Sequence, residues 1–267
     1  MPLVLEIYRW IIYGNIWMAL GAVSLTYSSS IIMYDRVSIP ILLIVFFATL
    51  IGYNYQTLIS VRSFKNNSPK DEWFLANINL IKMIGYVSFI CCIYLCIDNF
   101  SVIEAIFFLP FFLITLCYRW PILGIALRDI PYVKIFLIAL TWGFVTVLLP
   151  QYSEHDLVLN WSLILNNSLY ILGITIPFDI RDLETDSTSK KTIPQLFGVA
   201  RALLIAVICI SISGYLYYIE GYLLLSLVCL FSAMIILFSI KKRPDWYFSF
   251  IIDGLLLLFP LFTIFKS

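Results

Sequence analysis

The sequence predicts an all-helical, polytopic membrane protein with nine transmembrane helices forming one domain over residues 1–267. Three observations predict it. The chain is 62% hydrophobic and 12% charged, where a soluble domain of ordinary composition carries about a quarter of its residues as charges. Its apolar residues gather into nine runs of spanning length, each near the roughly 20 residues that a helix needs to cross a bilayer. Its basic residues fall almost entirely on one side of those runs.

The runs are roughly 8–28, 40–60, 79–97, 101–117, 132–150, 157–178, 199–219, 222–240 and 246–264. The first is long enough to span and is followed by many others, so no cleavable leader is expected. Tight junctions at Asp98 to Ser101 and Glu220 to Gly221 suit hairpins of neighbouring helices. The six cysteines (Cys91, Cys92, Cys96, Cys117, Cys209 and Cys229) lie inside apolar runs without metal-ligand spacing. They read as small hydrophobes. A net charge of +1 gives no electrostatic case for a nucleic-acid partner.

Nine spans put the termini on opposite sides. Fifteen of the 17 lysines and arginines fall on the N-terminal side, and only Arg36 and Lys266 on the other. That asymmetry makes the N-terminus cytoplasmic and the C-terminus external. The external loops carry Asp35, Asp98, Glu154 and Asp156, with the lone His155 between two of those acids. A histidine there reads as a solvated loop residue before it reads as a ligand. The longer polar loops, after the second, fourth and sixth spans, are all expected to be cytoplasmic.

The loop after the sixth span, PFDIRDLETDSTSKKTIP from Pro177 to Pro194, concentrates charge more than any other. Four of the 16 acidic residues stand within eight positions. If the preceding helix continues through it, Asp179, Asp182 and Asp186 fall within roughly 60° on one face, and Glu184 points the other way. Three clustered carboxylates at a membrane boundary call for a cation. Magnesium, which keeps its waters and bridges to a phosphate, fits best as the metal held by Asp179, Asp182 and Asp186. Arg181, Lys190 and Lys191 supply further countercharge. A solvated loop that merely enforces topology is the plainer alternative. The loop after the fourth span, CYRWPILGIALRDIPYVKIF, turns Arg119, Arg128 and Lys134 towards the same side. There they suit phosphate, or else snorkel as topology determinants.

With DIRDLETD closing the sixth span and KKTIPQLFG following, this pattern resembles the UbiA superfamily of intramembrane prenyltransferases. In that family a D-x-x-D-x-x-x-D element ends helix six, and the loop Tyr118–Lys134 is similar to its basic loop. The resemblance covers the whole chain in topology and that half in motif. It implies helices around a central cavity open to the cytoplasmic leaflet. It also implies transfer of an isoprenyl group from a prenyl diphosphate to a lipophilic acceptor, with magnesium ions on two aspartate motifs polarising the diphosphate. Diphosphate contacts are then expected from Arg128, Lys134, Arg181, Lys190, Asn54 and Arg62.

The chain departs from the family at the second span. Where N-x-x-x-D-x-x-x-D is expected, it reads NYQTLISVR, so Asn54 stays while Leu58 and Arg62 replace both aspartates. Arg62 would neutralise diphosphate directly, or pair with Asp182 or Asp186 in an inert mouth. Asp71 and Glu72 lie further along that loop and rescue a metal only if it folds back. Within the spans, Asn15, Asn166, Asn167 and Asp253 are polar; Asp253, near the cytoplasmic end of the ninth, either lines the same cavity or makes an interhelical hydrogen bond. The 21 Phe, 17 Tyr and 7 Trp furnish a wall for a prenyl chain or an ordinary bundle core. Two functions therefore compete: a prenyltransferase, and a non-catalytic UbiA-fold protein binding an isoprenoid or anionic lipid. A transporter ranks below both, because no paired helix interruptions mark internal repeats.

Overall fold

A computed structural model describes residues 2–63, 68–120, 126–156, 158–184 and 191–264, without the side chains of Pro2, Arg62 and Ser63. Every regular element among the described residues is helical. Among those residues, seven helices are long and apolar enough to cross a membrane, and Val102–Cys117 and Tyr247–Thr263 form shorter apolar ones. The chain divides into two units, Met1–Val23 with Ser38–Leu127, and Ser24–Val37 with Arg128–Ser267.

The first unit holds α1 (Pro2–Tyr13), the start of α2 (Ile16–Tyr34), α3 (Ile39–Ser63), α4 (Pro69–Ala76), α5 (Ile78–Asn99) and α6 (Val102–Cys117). The expected first span, 8–28, is therefore two helices. The break falls at Gly14 and Asn15, and Asn15 adopts a left-handed φ of 60°, which asparagine tolerates better than most residues. Its carboxamide then binds its neighbours: Nδ2 donates to Asn54 Oδ1 at 2.9 Å and to Thr57 Oγ1 at 3.4 Å. Lys70 Nζ donates to Asn15 Oδ1 at 3.5 Å.

Helix α4 starts cleanly because Ser68 caps it, accepting from the Asp71 amide at 3.1 Å, with Pro69 at its first position. Asp71 and Glu72 occupy its first turn, where the helix dipole favours them. The apolar side of α4 packs into a cluster of Trp73, Phe74 and Ile81, joined by Trp10, Tyr13, Leu58 and Val61. Trp10 meets Trp73 edge-on at 4.7 Å, and Trp73 Nε1 donates to Glu6 at 3.2 Å.

The second unit is built on α7 (Val133–Ser153), α8 (Trp161–Arg181), α10 (Val199–Ile219) and α11 (Leu223–Leu237), with the short α9 (Ile193–Phe197) before α10. Close approach of these helices depends on small residues. A Cβ on Gly143 would stand 2.8 Å from the Ile164 carbonyl oxygen, and one on Gly173 would stand 2.9 Å from that of Ala206. Polar side chains fasten the interior, where no water competes. Asn167 Nδ2 donates to Ser29 Oγ at 3.0 Å and Thr146 Oγ1 at 3.1 Å, and its Oδ1 accepts from Tyr217 at 3.0 Å. Asn166 Oδ1 accepts from Ser213. Both asparagines thus act as interhelical fasteners.

The final segment, expected as one span over 246–264, changes pitch along its length. A π-helical stretch at Tyr247–Ile252 leads to a tight 3₁₀ turn at Leu255–Leu258 and then to α12 (Phe259–Thr263). Asp253 lies between the first two. At the opposite end of this unit, Tyr34 donates to Asp156 at 2.9 Å and Arg36 pairs with Glu154. His155 takes a left-handed φ of 53° in that turn and is exposed.

Candidate functional site

Helices α7 and α8 run antiparallel in the second unit, so the first turn of α7 and the last turn of α8 share one end. Lys134 is the second residue of α7 and Asp179 the third from the end of α8. Lys134 Nζ donates to Asp179 Oδ1 at 2.6 Å. Asp179 is 2% exposed and the lysine side chain 14%, so this is a short, largely desolvated ion pair. Pairing offsets the cost of burying either charge at such a depth.

The α-helix ends at Arg181, and Asp182–Glu184 tightens into a 3₁₀ turn. The expected face of three carboxylates is therefore not continued by regular helix beyond Asp179. A 3₁₀ turn at a helix terminus is a common way to close it, and here it swings Asp182 onto its own neighbour. Arg181 Nε and Nη2 donate to the two carboxylate oxygens of Asp182 at 2.7 and 3.2 Å. The guanidinium also lies over the rings of Phe178 and Phe248, 5.2 and 5.5 Å from their centroids. Asp245 and Asp253 act on it electrostatically. Phe248 belongs to the π-helical stretch, which brings both that ring and Asp253 to Arg181. Asp186 and Lys190, the remaining members of the expected motif, lie outside the described residues.

A second cation stands at the same end. Lys191 Nζ lies 5.5 Å from the centroid of the Tyr132 ring, and Tyr132 precedes α7 by one residue. Both residues hold left-handed backbone, φ 47° for Lys191 and 68° for Tyr132. Neither is glycine, so each conformation costs roughly 1–3 kcal/mol. Arg128, in the turn before, is mostly buried, with Nε 3.8 Å from Asp129 Oδ1. Glu184 pairs with Lys242 at 3.0 Å with both side chains exposed, a contact of small energetic value.

The residues expected from the other motif lie in the first unit. Asn54 is buried and accepts from Asn15. Leu58 packs beside Trp73, Phe74 and Ile81, an apolar setting with no use for a carboxylate. The side chain of Arg62 lies outside the described residues. Asp71 and Glu72 head α4, in a different unit from Asp179 and Asp182.

Asp179 and Asp182, as paired here, give magnesium a poor fit. The buried carboxylate of Asp179 is already taken by Lys134, and Asp182 is forked by Arg181. Among the described residues, no group of three or more His, Cys, Asp or Glu is disposed to hold a metal ion. What the described residues show instead is ion pairing at one helix end, an ammonium on Asp179 and a guanidinium forked on Asp182. Sequence reasoning put Asp179 and Asp182 on one acidic face, with Arg181 and Lys134 as cations on the same side. It missed that they pair, and it missed Phe248 and Tyr132. Consecutive spans of opposite direction place Lys134 and Asp179 at one end, but that alone does not bring them into contact.

No family model matches this chain, and no curated protein matches it. Its fold is similar to that of a solved structure, described as digeranylgeranylglyceryl phosphate synthase in membranes, with a TM-score of 0.60. The two share 17% identity over 97% of this chain and 99% of the other. At that identity the likeness speaks for the fold. Together with seven helices of spanning length, it makes this chain an integral, multi-pass membrane protein with the fold of a membrane-embedded synthase.

Proposed function

We propose that this protein is a UbiA-like intramembrane prenyltransferase that takes a prenyl diphosphate and transfers its isoprenyl group to a lipophilic acceptor. The observation that carries the reading is the full-length fold likeness to a membrane synthase. The acidic DIRDLETD element at the end of α8 supports it, as does the Lys134 cation beside it. In this reading the acidic and basic end of the second unit faces the cytoplasm, and aromatic helix faces sheathe the prenyl chain.

The chemistry asked of these residues is modest. The C1–O bond of an allylic diphosphate breaks with its electron pair going to the diphosphate, leaving a delocalised carbocation. Cations of the chain stabilise the negative charge gained by the leaving group, and apolar surroundings keep water from the carbocation. The acceptor then bonds to C1 and loses a proton.

A second reading is favoured by one observation. Leu58 sits in an apolar cluster where the family pattern has a carboxylate, which suits a non-catalytic protein that binds an isoprenoid or anionic lipid. The test is incubation of the purified protein with labelled geranylgeranyl diphosphate and a panel of quinol and glycerophosphate acceptors. Release of diphosphate with a labelled lipid product supports the enzyme. Binding without release moves the protein to the second reading. Absence of binding removes both.

A further inference from the structure

We propose that α1 is an anchor lying in the membrane surface, with Leu3, Val4, Ile7 and Ile11 seated at the boundary between lipid headgroups and acyl chains and α4 held beside it. It is then neither the head of the first span nor a helix standing in water. This placement holds whether or not the protein transfers prenyl groups.

The first span is complete without α1. Helix α2 has 19 residues, about 29 Å at about 1.5 Å per residue, which already matches a hydrocarbon core of about 30 Å. Continued in line, the 12 residues of α1 would stand about 18 Å clear of that core. Leu3 and Val4, each 71% exposed, would then face water together with Leu5 and Ile7. The helix is instead interrupted at Gly14 and Asn15. Asn15 is buried there with its left-handed φ, bound to Asn54 and Thr57 of α3, so the interruption is fixed by the fold.

The faces of α1 are sorted as a membrane surface requires. At about 100° per residue, Leu3, Val4, Ile7 and Ile11 fall within about 100° on one side. Arg9 falls roughly opposite, its side chain 40% exposed and 3.5 Å from Glu6. The flank between them meets α4. Trp10 and Tyr13 meet the Trp73 ring edge-on at 4.7 and 5.8 Å, and Glu6 accepts from Trp73 Nε1. An apolar row, an aromatic flank and a charged back suit a helix lying in the interface, where tryptophan and tyrosine collect. The same cluster marks the depth. Leu58 and Val61 join it from the end of α3, whose 25 residues measure about 37 Å and outrun the core. Helices α1 and α4 thus pack where α3 leaves the membrane.

Three placements of α1 differ in how depth changes along it. In the membrane surface, Leu3, Ile7 and Ile11 share one depth, about 5–10 Å into the headgroup–acyl boundary, and Arg9 lies shallower. At the head of a span, each step of four residues goes about 6 Å deeper. In water, all four positions are equally open to a water-borne reagent.

The experiment places single nitroxide labels in the full-length protein in nanodiscs, in a background without native cysteines. Collisions with oxygen and with a nickel chelate read the depth of each label. Leu3→Cys, Ile7→Cys and Ile11→Cys report on the apolar row and Arg9→Cys on the opposite side. Leu204→Cys and Ile208→Cys, exposed on the spanning α10, serve as the ruler. The α10 pair is expected to differ by about 6 Å in depth, and the three row labels of α1 by less than about 3 Å. Arg9→Cys is expected to be at least about 3-fold more accessible to nickel than Leu3→Cys. A step of about 6 Å from Leu3 to Ile7, and again to Ile11, makes α1 the head of a span and overturns the proposal. Nickel access at Leu3 and Ile7 equal to that at Arg9 puts α1 in water and overturns it too. Spin–spin broadening at Leu3 or Ile7 that vanishes on dilution with unlabelled protein makes a second copy the occupant, with the same consequence. Should a cysteine at Leu3 or Ile7 prevent folding, Val4→Cys on the same face takes its place.

Discussion

Placing an aspartate at position 58 is the natural way to ask whether that position can serve a metal site, and the structure predicts that it will mainly cost stability. Leu58 is half-buried against the cluster of Trp73, Phe74 and Ile81, beside Val61. Full burial of a leucine contributes about 1.5–3 kcal/mol, so its partial burial contributes about half of that. A carboxylate there must also leave water, at about 2.5–3.5 kcal/mol for a charge within a membrane helix. Leu58→Asp should therefore destabilise the protein by about 3–5 kcal/mol. For a chain of this size that corresponds to roughly 6–20 °C in Tm. Leu58→Ala, which only loses contacts, should cost about 1–2 kcal/mol. Tryptophan fluorescence during thermal unfolding in detergent reads this directly, because Trp10 and Trp73 meet in the same cluster at 4.7 Å. Addition of magnesium and diphosphate should restore none of the loss. An unchanged Tm for Leu58→Asp, or a large stabilisation of that variant by magnesium, would show that the side chain reaches a polar site, and the apolar account of the position would be abandoned.

Other substitutions test the second unit. Asn167→Leu leaves the Tyr217 hydroxyl without its acceptor and takes a donor from Ser29 and Thr146, whose hydroxyls still bond the Leu25 and Trp142 carbonyls; it should cost about 1–2 kcal/mol, measured by urea or SDS unfolding in micelles, and an unchanged midpoint would remove the carboxamide as a fastener. Gly173→Val drives a branched side chain against the Ala206 carbonyl, which already stands 2.9 Å from the nearest added carbon. It should cost about 1–3 kcal/mol in unfolding free energy, whereas Gly85→Val, where an added Cβ meets nothing within 4 Å, should leave the midpoint nearly unchanged; equal effects at the two positions would remove close helix approach as the reason for Gly173. In a background without native cysteines, His155→Cys and Glu184→Cys should label from opposite sides of the membrane, because they lie at opposite ends of the α7–α8 pair; labelling from one side would break the topology.

The helical architecture was legible because hydrophobicity in a bilayer is a coarse quantity, summed over some 20 residues. The run expected at 199–219 coincides with α10, and that at 79–97 lies within α5. The reading failed where a local event interrupts an apolar run. Gly14 and Asn15 end α1 without any drop in surrounding hydrophobicity, since the left-handed φ of Asn15 is bound by Asn54 and Thr57, far away in sequence. The π-helical pitch at Tyr247–Ile252 likewise leaves no mark in composition. At the site, residue types were legible and partners were not. An aspartate at a membrane boundary announces that it needs a cation. Whether that cation is a metal or a lysine 45 positions earlier depends on which helices adjoin, and a single sequence does not encode that in its spacing.

The pairings at this end of the second unit imply a division of labour between two basic residues of similar sequence standing. Arg181 has its fork on Asp182, its plane over Phe178 and Phe248, and two further carboxylates acting on it. A planar guanidinium suits that role, because it donates in its plane while its faces pack on aromatic rings. Lys134 has a compact ammonium on the buried carboxylate of Asp179, and a point charge of that kind tolerates changes of geometry that a planar fork does not. Arg181→Lys should therefore be damaging although it conserves charge, since a lysine can neither fork Asp182 nor cover both rings. The cost belongs in stability, at about 1–3 kcal/mol from lost charge-assisted bonds and cation–π contacts, with diphosphate affinity of the folded fraction within about 3-fold of wild type. Lys134→Arg should show the reverse, with a modest change in Tm and a larger change in affinity. Measuring both quantities on both variants separates the two roles. Arg181→Lys that unfolds normally yet fails to bind diphosphate would make the arginine a ligand contact and reverse the assignment.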